Sequence, residues 1–205
     1  MKPPDEAECR RTIAQLGALL YQRRMLDSAG GNISARCSSG DVCISPRFSG
    51  SRRRWMLDPE EVLLLRPERS PPAAASRETG MHLAIYKAFP NCGAVIHAHP
   101  RHLLVFASAC RPLAPPTEQT DKYGVIPVAS AAPAHSAALA KSVVEALEPQ
   151  QVKLKEHSIA CLLPRHGITV AGPTLDDAYD ALERLEGSAR VWIDRASLDR
   201  LPDSM

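Results

Sequence analysis

The sequence predicts a mixed fold of the α/β (α+β) class, in which helices flank a central, mostly antiparallel β-sheet. Amphipathic helical segments alternate with short apolar strand segments along the chain, and several neighbouring strand segments are separated only by tight turns. The 205 residues are 44% hydrophobic and 23% charged, close to the globular averages of about 45–50% and 25%. We therefore expect one folded domain over residues 1–205.

The first third of the chain predicts a helix followed by three strands. Apolar residues recur at steps of three or four over residues 6–25, which indicates an amphipathic helix. A Ser-Ser-Gly-Asp turn separates two apolar runs, residues 33–37 and 42–44, as is typical of a hairpin. Asp58-Pro59 is a helix-start pattern that leads through a short turn into an apolar strand over residues 62–65.

The rest of the chain continues the alternation of helices and strands. Further helices are predicted over residues 76–89, 102–108 and 136–147 and from Thr174 onward, and further strands over residues 94–99, 124–129, 159–163 and 168–170. Ser76 is expected to cap the first of these helices, with Met81, Ile85 and Ala88 on its buried face. Thr174 and Asp177 resemble a capping box that opens the last helix.

The charge balance argues against a nucleic acid or a membrane surface as the partner. The chain has 25 basic and 23 acidic residues, a formal net charge of +2, whereas phosphate-binding surfaces usually carry a concentrated basic excess. No apolar run approaches the roughly 18 residues of a membrane span, and the first residues lack the apolar stretch of a signal peptide. We expect a cytoplasmic protein.

The six cysteines form no C-x-x-C pair. This argues against a zinc ribbon and against a thioredoxin-like redox site. Because cytosolic thiols stay reduced, we expect mostly structural thiols.

His97-Ala98-His99, at the end of an apolar strand, is the sharpest local feature. Residues two apart on a strand share a face, so two imidazoles there are able to converge on one metal ion. His166 is a third candidate, beside Gly167, which permits close backbone approach. Three imidazoles with an open coordination position are typical of a catalytic metal site. The alternative is a histidine pair satisfied by backbone carbonyls or water.

Two further features have both a structural and a chemical interpretation. Glu78 lies in the first turn of a predicted helix, where it complements the helix dipole and is four residues from His82. The turn Gly30-Gly31-Asn32-x-Ser34 is either the start of a hairpin or a set of amides that hold an anion.

Taken together, an ordered set of motifs resembles the class II aldolase/adducin family. The segments are Gly31-Asn32-Ile33-Ser34, Ile44-Ser45-Pro46, Ser76-Arg77-Glu78 with His82 and Tyr86, Ala94-Val95-Ile96-His97-Ala98-His99-Pro100, His166-Gly167, and the helix that begins at Gly172-x-Thr174-Leu175. They occur in order between residues 9 and 193 with compatible gaps. The resemblance implies the three-layer fold of that family and a homotetramer.

The resemblance also implies a metal and a catalytic acid/base. It implies that His97, His99 and His166 hold a divalent metal and that Glu78 moves the proton. Zinc is the expected metal, and manganese and cobalt are the alternatives. Such a metal stabilises an enediolate by Lewis-acid catalysis, and a neighbouring carboxylate is suited to the proton transfer.

The residues that the resemblance assigns to the substrate phosphate are Asn32, Ser34, Ser45, Ser76 and Arg77. Arg77 replaces a serine of the family, and its forked cation suits a phosphate or a carboxylate. The loop after Pro46 either is two residues longer than in the family or turns Arg47 toward the anion.

The proton-donating tyrosine of fuculose phosphate aldolases has no counterpart near Val128. Tyr123 is nearby but out of register, and residues 198–205 contain no tyrosine. The metal chemistry therefore transfers from the family better than the substrate does.

The first functional hypothesis is a metal-dependent lyase that cleaves a carbon–carbon bond of a sugar phosphate, as fuculose 1-phosphate aldolases do. Arg77 and Arg47 make a decarboxylase of a phosphorylated or aromatic carboxylic acid the nearest alternative. A sugar-phosphate epimerase or dehydratase would use the same site. A non-catalytic, adducin-like binding module is the alternative from another class. In the enzyme hypotheses the partner is a phosphorylated sugar or sugar acid.

Overall fold

Six short strands form one antiparallel sheet in the computed structural model, which describes residues 3–66 and 68–198. The strands are β1 (Asn32–Arg36), β2 (Val42–Ile44), β3 (Leu63–Leu65), β4 (Ala94–Ala98), β5 (Ile159–Leu163) and β6 (Gly167–Gly172). Their order across the sheet is β3-β2-β1-β4-β6-β5, and every neighbouring pair is antiparallel. The predicted mixed fold with an antiparallel sheet is confirmed.

Helices cover both faces of the sheet and so make three layers. They are α1 (Glu6–Gln22), α2 (Ser49–Arg53), α3 (Thr79–Ala88), α4 (Arg101–Ser108), α5 (Ala137–Leu147) and α6 (Leu175–Leu198). Apolar residues of α1, α4 and α6 form one core, and those of α3 and α5 form the other. Along β4, Val95 belongs to the second core and Ile96 to the first, because successive side chains of a strand point to opposite faces. Among the described residues no helix is long and apolar enough to cross a membrane.

Strand register brings distant sequence motifs to one end of β4. Asn32 at the start of β1 pairs with His97, and on the other side of β4 His97 pairs with Thr169 of β6. The turn before β1 and the turn before β6 therefore both lie beside the carboxyl end of β4. This end of the sheet holds the Gly-Gly-Asn turn, the H-x-H segment and His166 together.

Helix α3 begins and packs differently from the prediction. It starts at Thr79 rather than Ser76, because the Ser76 hydroxyl accepts the Glu78 N–H two residues on (3.3 Å) instead of capping a helix that begins at once. Ala88 is exposed, and Phe89 is buried in its place. Helix α1 likewise ends at Gln22, three residues before the predicted end.

The predicted strand over residues 124–129 is wrong. That segment makes only isolated bridges, Leu113 with Ile126 and Val128 with Leu162. Pro127 has no N–H to donate to a ladder, and it contributes only its carbonyl, which accepts Leu162 N–H at 2.8 Å.

The surroundings of two helical glycines predict that replacement by alanine has opposite effects on stability. A Cβ added at Gly17 of α1 would lie 2.5 Å from Cε3 of the fully buried Trp55, whereas one added at Gly187 of α6 meets nothing within 4 Å. We expect Gly17→Ala to lower the free energy of unfolding by about 1–3 kcal/mol through overpacking. Gly187→Ala should raise it by about 0.4–1 kcal/mol, because alanine restricts the unfolded chain. Urea unfolding of both variants checks this, and shifts of the same sign would contradict it.

Candidate active site and metal centre

The three predicted histidine ligands converge. His97 is fully buried at the end of β4, His99 follows it, and His166 lies in the turn before β6. The Nε2 atoms of His97 and His99 are 3.2 Å apart, and one ring nitrogen of each of the three histidines lies within 4.8 Å of the other two.

Hydrogen bonds orient two of these rings. His97 Nδ1 donates to the carbonyl of Ile168 (3.0 Å), and His99 Nδ1 lies 3.3 Å from the carboxylate of Asp27. Each bond leaves Nε2 free to face a metal, which is the arrangement that metal-bound histidines usually have. Asp27 was not identified from the sequence, although it also accepts the N–H groups of Ala29 and Gly30 in an Asx turn, a recognisable local signal.

The donor set fits a divalent cation. In a tetrahedral site with metal–nitrogen bonds of about 2.0–2.1 Å, neighbouring nitrogens lie about 3.3 Å apart, close to the 3.2 Å between His97 and His99. Burial lowers the pKa values of His97 and His166, although the nearby Glu78 partly opposes this at His166. Both imidazoles are therefore neutral at pH 7, as metal ligands must be.

Gly31 and Gly167 let two turns approach the histidines closely. Gly31 has φ +87°, and a Cβ there would lie 3.0 Å from the carbonyl oxygen of His97 and 2.3 Å from the Leu26 side chain. At Gly167 a Cβ would lie 2.3 Å from the carbonyl oxygen of Ala98. Neither turn accommodates a side chain at these positions without moving the backbone that carries the ligands.

Glu78 pairs with His135 rather than with His82. Its side chain is 4% exposed, and Oε1 lies 2.7 Å from His135 Nδ1 and accepts the His135 N–H at 3.2 Å. His135 has φ +64°, a left-handed conformation that turns both groups toward the same oxygen. The sequence does not indicate this role for His135, because it lies 57 residues from Glu78 in a Pro/Ala-rich stretch with no motif of its own.

His82 instead orients Asn32 from beneath the cleft. Its Nδ1 lies 2.6 Å from the Ser34 hydroxyl, which lies 2.8 Å from the Tyr86 hydroxyl, and its Nε2 contacts Asn32 Oδ1. Burial lowers the pKa of His82 to about 3, so the ring is neutral. With the proton on Nε2, His82 donates to Asn32 Oδ1 and accepts from Ser34, which leaves the Asn32 NH₂ for the cleft.

A small, open cleft with a cavity volume of about 90 Å³ lies over the histidines, less than the usual 300–1,000 Å³ of small-molecule sites. Among the predicted substrate-binding residues, Asn32, Ser76 and Arg77 line it, and so does Arg47. Glu78, His135 and the three histidines also line the cleft.

Ser34 and Ser45 do not reach the cleft, in contrast to the expectation of direct substrate contacts. Both are fully buried, and the Ser45 hydroxyl accepts the Ile33 N–H at 3.1 Å. They support the β1 turn from below instead. Tyr123 also lies outside the cleft and donates to Asp180 at 3.2 Å.

The buried, neutral His82 predicts a pH-dependent stability. Its pKa is about 3 in the folded state and about 6.5 when unfolded, so below about pH 6.5 the unfolded state binds the extra proton and stability falls. In metal-free protein between about pH 6 and pH 4.5, wild type should lose about 1.4 kcal/mol more per pH unit than His82→Gln. Urea unfolding over this range measures both slopes, and equal slopes would exclude a neutral buried His82.

Comparisons with known proteins agree with this geometry. The family model described as Class II Aldolase and Adducin N-terminal domain matches residues 11–193. A 3-oxo-tetronate 4-phosphate decarboxylase of Haemophilus influenzae is 28% identical over 191 residues, covering 89% of this chain and 86% of that protein. An L-fuculose phosphate aldolase of Methanococcus vannielii is 27% identical over 177 residues, covering 84% and 89%.

The crystal structure of L-fuculose-1-phosphate aldolase from Thermus thermophilus matches the fold with a TM-score of 0.81 and 26% identity, covering 96% of this chain and 98% of that one. The two curated relatives are lyases, so the predicted enzyme class is confirmed. Class II aldolases use a divalent metal, in agreement with the three-histidine site. This chain belongs to the class II aldolase and adducin family.

Proposed function

We propose that the protein is a metal-dependent lyase that releases CO₂ from a phosphorylated 3-oxo sugar acid. One observation carries this proposal: a single cleft is lined by three imidazoles, the buried carboxylate Glu78 and two arginines, Arg47 and Arg77. A 3-oxo sugar acid phosphate has two anionic groups and a carbonyl, and these are the groups that such a cleft recognises. The similarity to 3-oxo-tetronate 4-phosphate decarboxylases supports the same substrate class.

The reaction breaks the bond between the carboxylate carbon and C2. The electron pair of that bond moves toward the C3 carbonyl, CO₂ leaves, and C2 then takes up a proton, so a four-carbon substrate yields dihydroxyacetone phosphate. A divalent metal held by His97, His99 and His166 supplies a Lewis acid that stabilises the negative charge developing on the carbonyl oxygen.

The cationic and polar side chains of the cleft bind and orient the two anions. Arg77 and Arg47 are both exposed at the cleft, and a guanidinium binds a carboxylate or a phosphate through two parallel hydrogen bonds. The Asn32 NH₂, fixed by His82, and the Ser76 hydroxyl add uncharged donors. Holding both ends of the substrate keeps its reacting carbon beside Glu78.

Glu78 is the proton donor to C2, with His135 as its relay. Both contacts from His135 engage Oε1 of Glu78, and we therefore assign Oε2 to the substrate. The His135 side chain is 36% exposed and joins the buried carboxyl to solvent. After each transfer the pair is able to take up a new proton from solvent through His135.

Aldol cleavage of a ketose phosphate is the second candidate. The likeness to the Thermus and Methanococcus aldolases favours it. That reaction also needs a base for the substrate hydroxyl, and Tyr123 is held by Asp180 away from the cleft. Decarboxylation needs no such base, and for this reason we prefer it. An epimerase or dehydratase would need comparable extra proton transfers, and a non-catalytic module would not require the oriented imidazoles.

Zinc is the metal we propose, with manganese or cobalt as alternatives, because a set of three imidazoles with an open fourth position suits zinc. The family resemblance supports a homotetramer in the cytoplasm, and the match over residues 11–193 supports a single domain. These points stay predictions.

A substrate comparison tests the reaction. Zinc-loaded protein is incubated separately with 3-oxo-tetronate 4-phosphate and with fuculose 1-phosphate, and CO₂ and dihydroxyacetone phosphate are measured. We expect equal amounts of both products from the first substrate and little turnover of the second. Dihydroxyacetone phosphate from fuculose 1-phosphate, with no CO₂ from the acid, would establish the aldolase instead.

Two variants separate proton transfer from metal binding. Glu78→Gln should keep the metal and lose about 10²-fold or more in kcat, because the amide cannot donate the proton. His99→Ala should lose the metal, since two imidazoles remain. Elemental analysis and turnover of CO₂ provide the readouts. His157→Ala, at a half-buried histidine away from the cleft, is the matched control and should keep both. Wild-type turnover in Glu78→Gln would remove its assigned role.

A further inference from the structure

Three cysteines form a second cluster of metal-binding groups at the opposite end of the sheet from the cleft. Cys9 lies on α1, Cys37 follows β1, and Cys43 lies on β2. Their Sγ atoms lie within 4.8 Å of one another, and those of Cys37 and Cys43 are 3.5 Å apart. All three side chains are buried. We call Cys9, Cys37 and Cys43 the thiol cluster.

The hairpin and helix α1 bring the thiol cluster together. Ala35 pairs with Cys43 in the β1–β2 ladder, and the Cys37 N–H donates to the carbonyl of Asp41 (2.8 Å), so the hairpin places two thiols side by side. Helix α1 packs over this hairpin and adds Cys9 from above. The spacing of these cysteines along the sequence gives no motif, because the contacts come from strand pairing and helix packing.

We propose that the thiol cluster binds one Cu⁺ ion through its three sulfur atoms. Three ligands around an ion at metal–sulfur distances of about 2.3 Å place the sulfurs about 4.0 Å apart. The observed separations, 3.5 Å for one pair and at most 4.8 Å for the others, are compatible with that value. Only small side-chain rotations are then needed to form the site.

The number and softness of the donors favour Cu⁺ over Zn²⁺. In the part of the chain that the structure describes, no fourth histidine, cysteine or carboxylate joins the thiol cluster. Structural zinc sites almost always have four protein ligands. Thiolates are soft ligands that select Cu⁺, and a monovalent d¹⁰ ion is stable with three of them. The cluster therefore differs from the three-histidine site both in its ligands and in the ion it suits.

Charge and access are compatible with this ion. Cu⁺ binding displaces the thiol protons: three thiols and Cu⁺ give a Cu(SR)₃ complex of charge −2 and three protons. Cys9 and Cys37 also line a surface cleft beside the amino-terminal end of α1, which gives the ion a route to the sulfurs.

A copper titration tests the proposal. Reduced, zinc-loaded protein is titrated with Cu⁺ without oxygen, against a chromophoric Cu⁺ chelator, and the bound ion is examined by X-ray absorption. We expect one Cu⁺ per chain, three sulfur neighbours and release of the thiol protons. In the wild-type protein alone, fewer than three sulfur neighbours around Cu⁺, or nitrogen neighbours from the histidine site, would overturn the proposal.

Variants locate the ion. Cys43→Ala and, independently, Cys9→Ala should lose the three-sulfur signal, with folding of each checked by circular dichroism. Cys161→Ala is the matched control, because Cys161 is equally buried on β5 but lies outside the thiol cluster, and it should keep the signal. His99→Ala should also keep it, since the histidine site is separate. Retention of three sulfur neighbours in a folded Cys43→Ala protein, or their loss in Cys161→Ala, would contradict the assignment.

Discussion

The position of β4 between β1 and β6 is the constraint on which the site depends. Backbone pairing puts Asn32 opposite His97 on one side and Thr169 opposite His97 on the other, so both flanking turns end beside the same two histidines. Sheet hydrogen bonds, rather than flexible loops, therefore set the distances between ligands. A shift of β1 or β6 by one residue along β4 would turn the side chains of that strand to the other face of the sheet and separate the residues of the site.

Burial of neutral polar groups is the second requirement. His97 and His82 are both fully buried, and their lowered pKa values follow from the loss of water around them. A buried polar group is tolerated only when it is hydrogen-bonded, and each ring has a partner, Ile168 O for His97 and Ser34 with Asn32 for His82. The same bonds that make burial possible also leave Nε2 of His97 facing His99 and hold Oδ1 of Asn32 against His82.

Local patterns predicted most of the elements and two of the histidines that converge in the cleft, whereas long-range contacts were not predictable. The H-x-H segment at a strand end is a local signal, and it identified His97 and His99. The partner of Glu78 is not local: helix spacing pointed to His82, but tertiary packing supplies His135. Ser34 matched a family motif, yet its position on β1 directs it into the core beneath the cleft. The strand predicted around Pro127 failed because that residue lacks the N–H a ladder requires.

The left-handed backbone at His135 separates the placement of Glu78 from its protonation. The main-chain N–H of residue 135 binds Oε1 independently of the imidazole, whereas the proposed relay to solvent needs the imidazole itself. Replacement of the His135 side chain would leave the Glu78 carboxylate in place and change only how readily it takes up a new proton. In the proposed mechanism this position sets how fast a proton is taken up and leaves the three histidines unchanged.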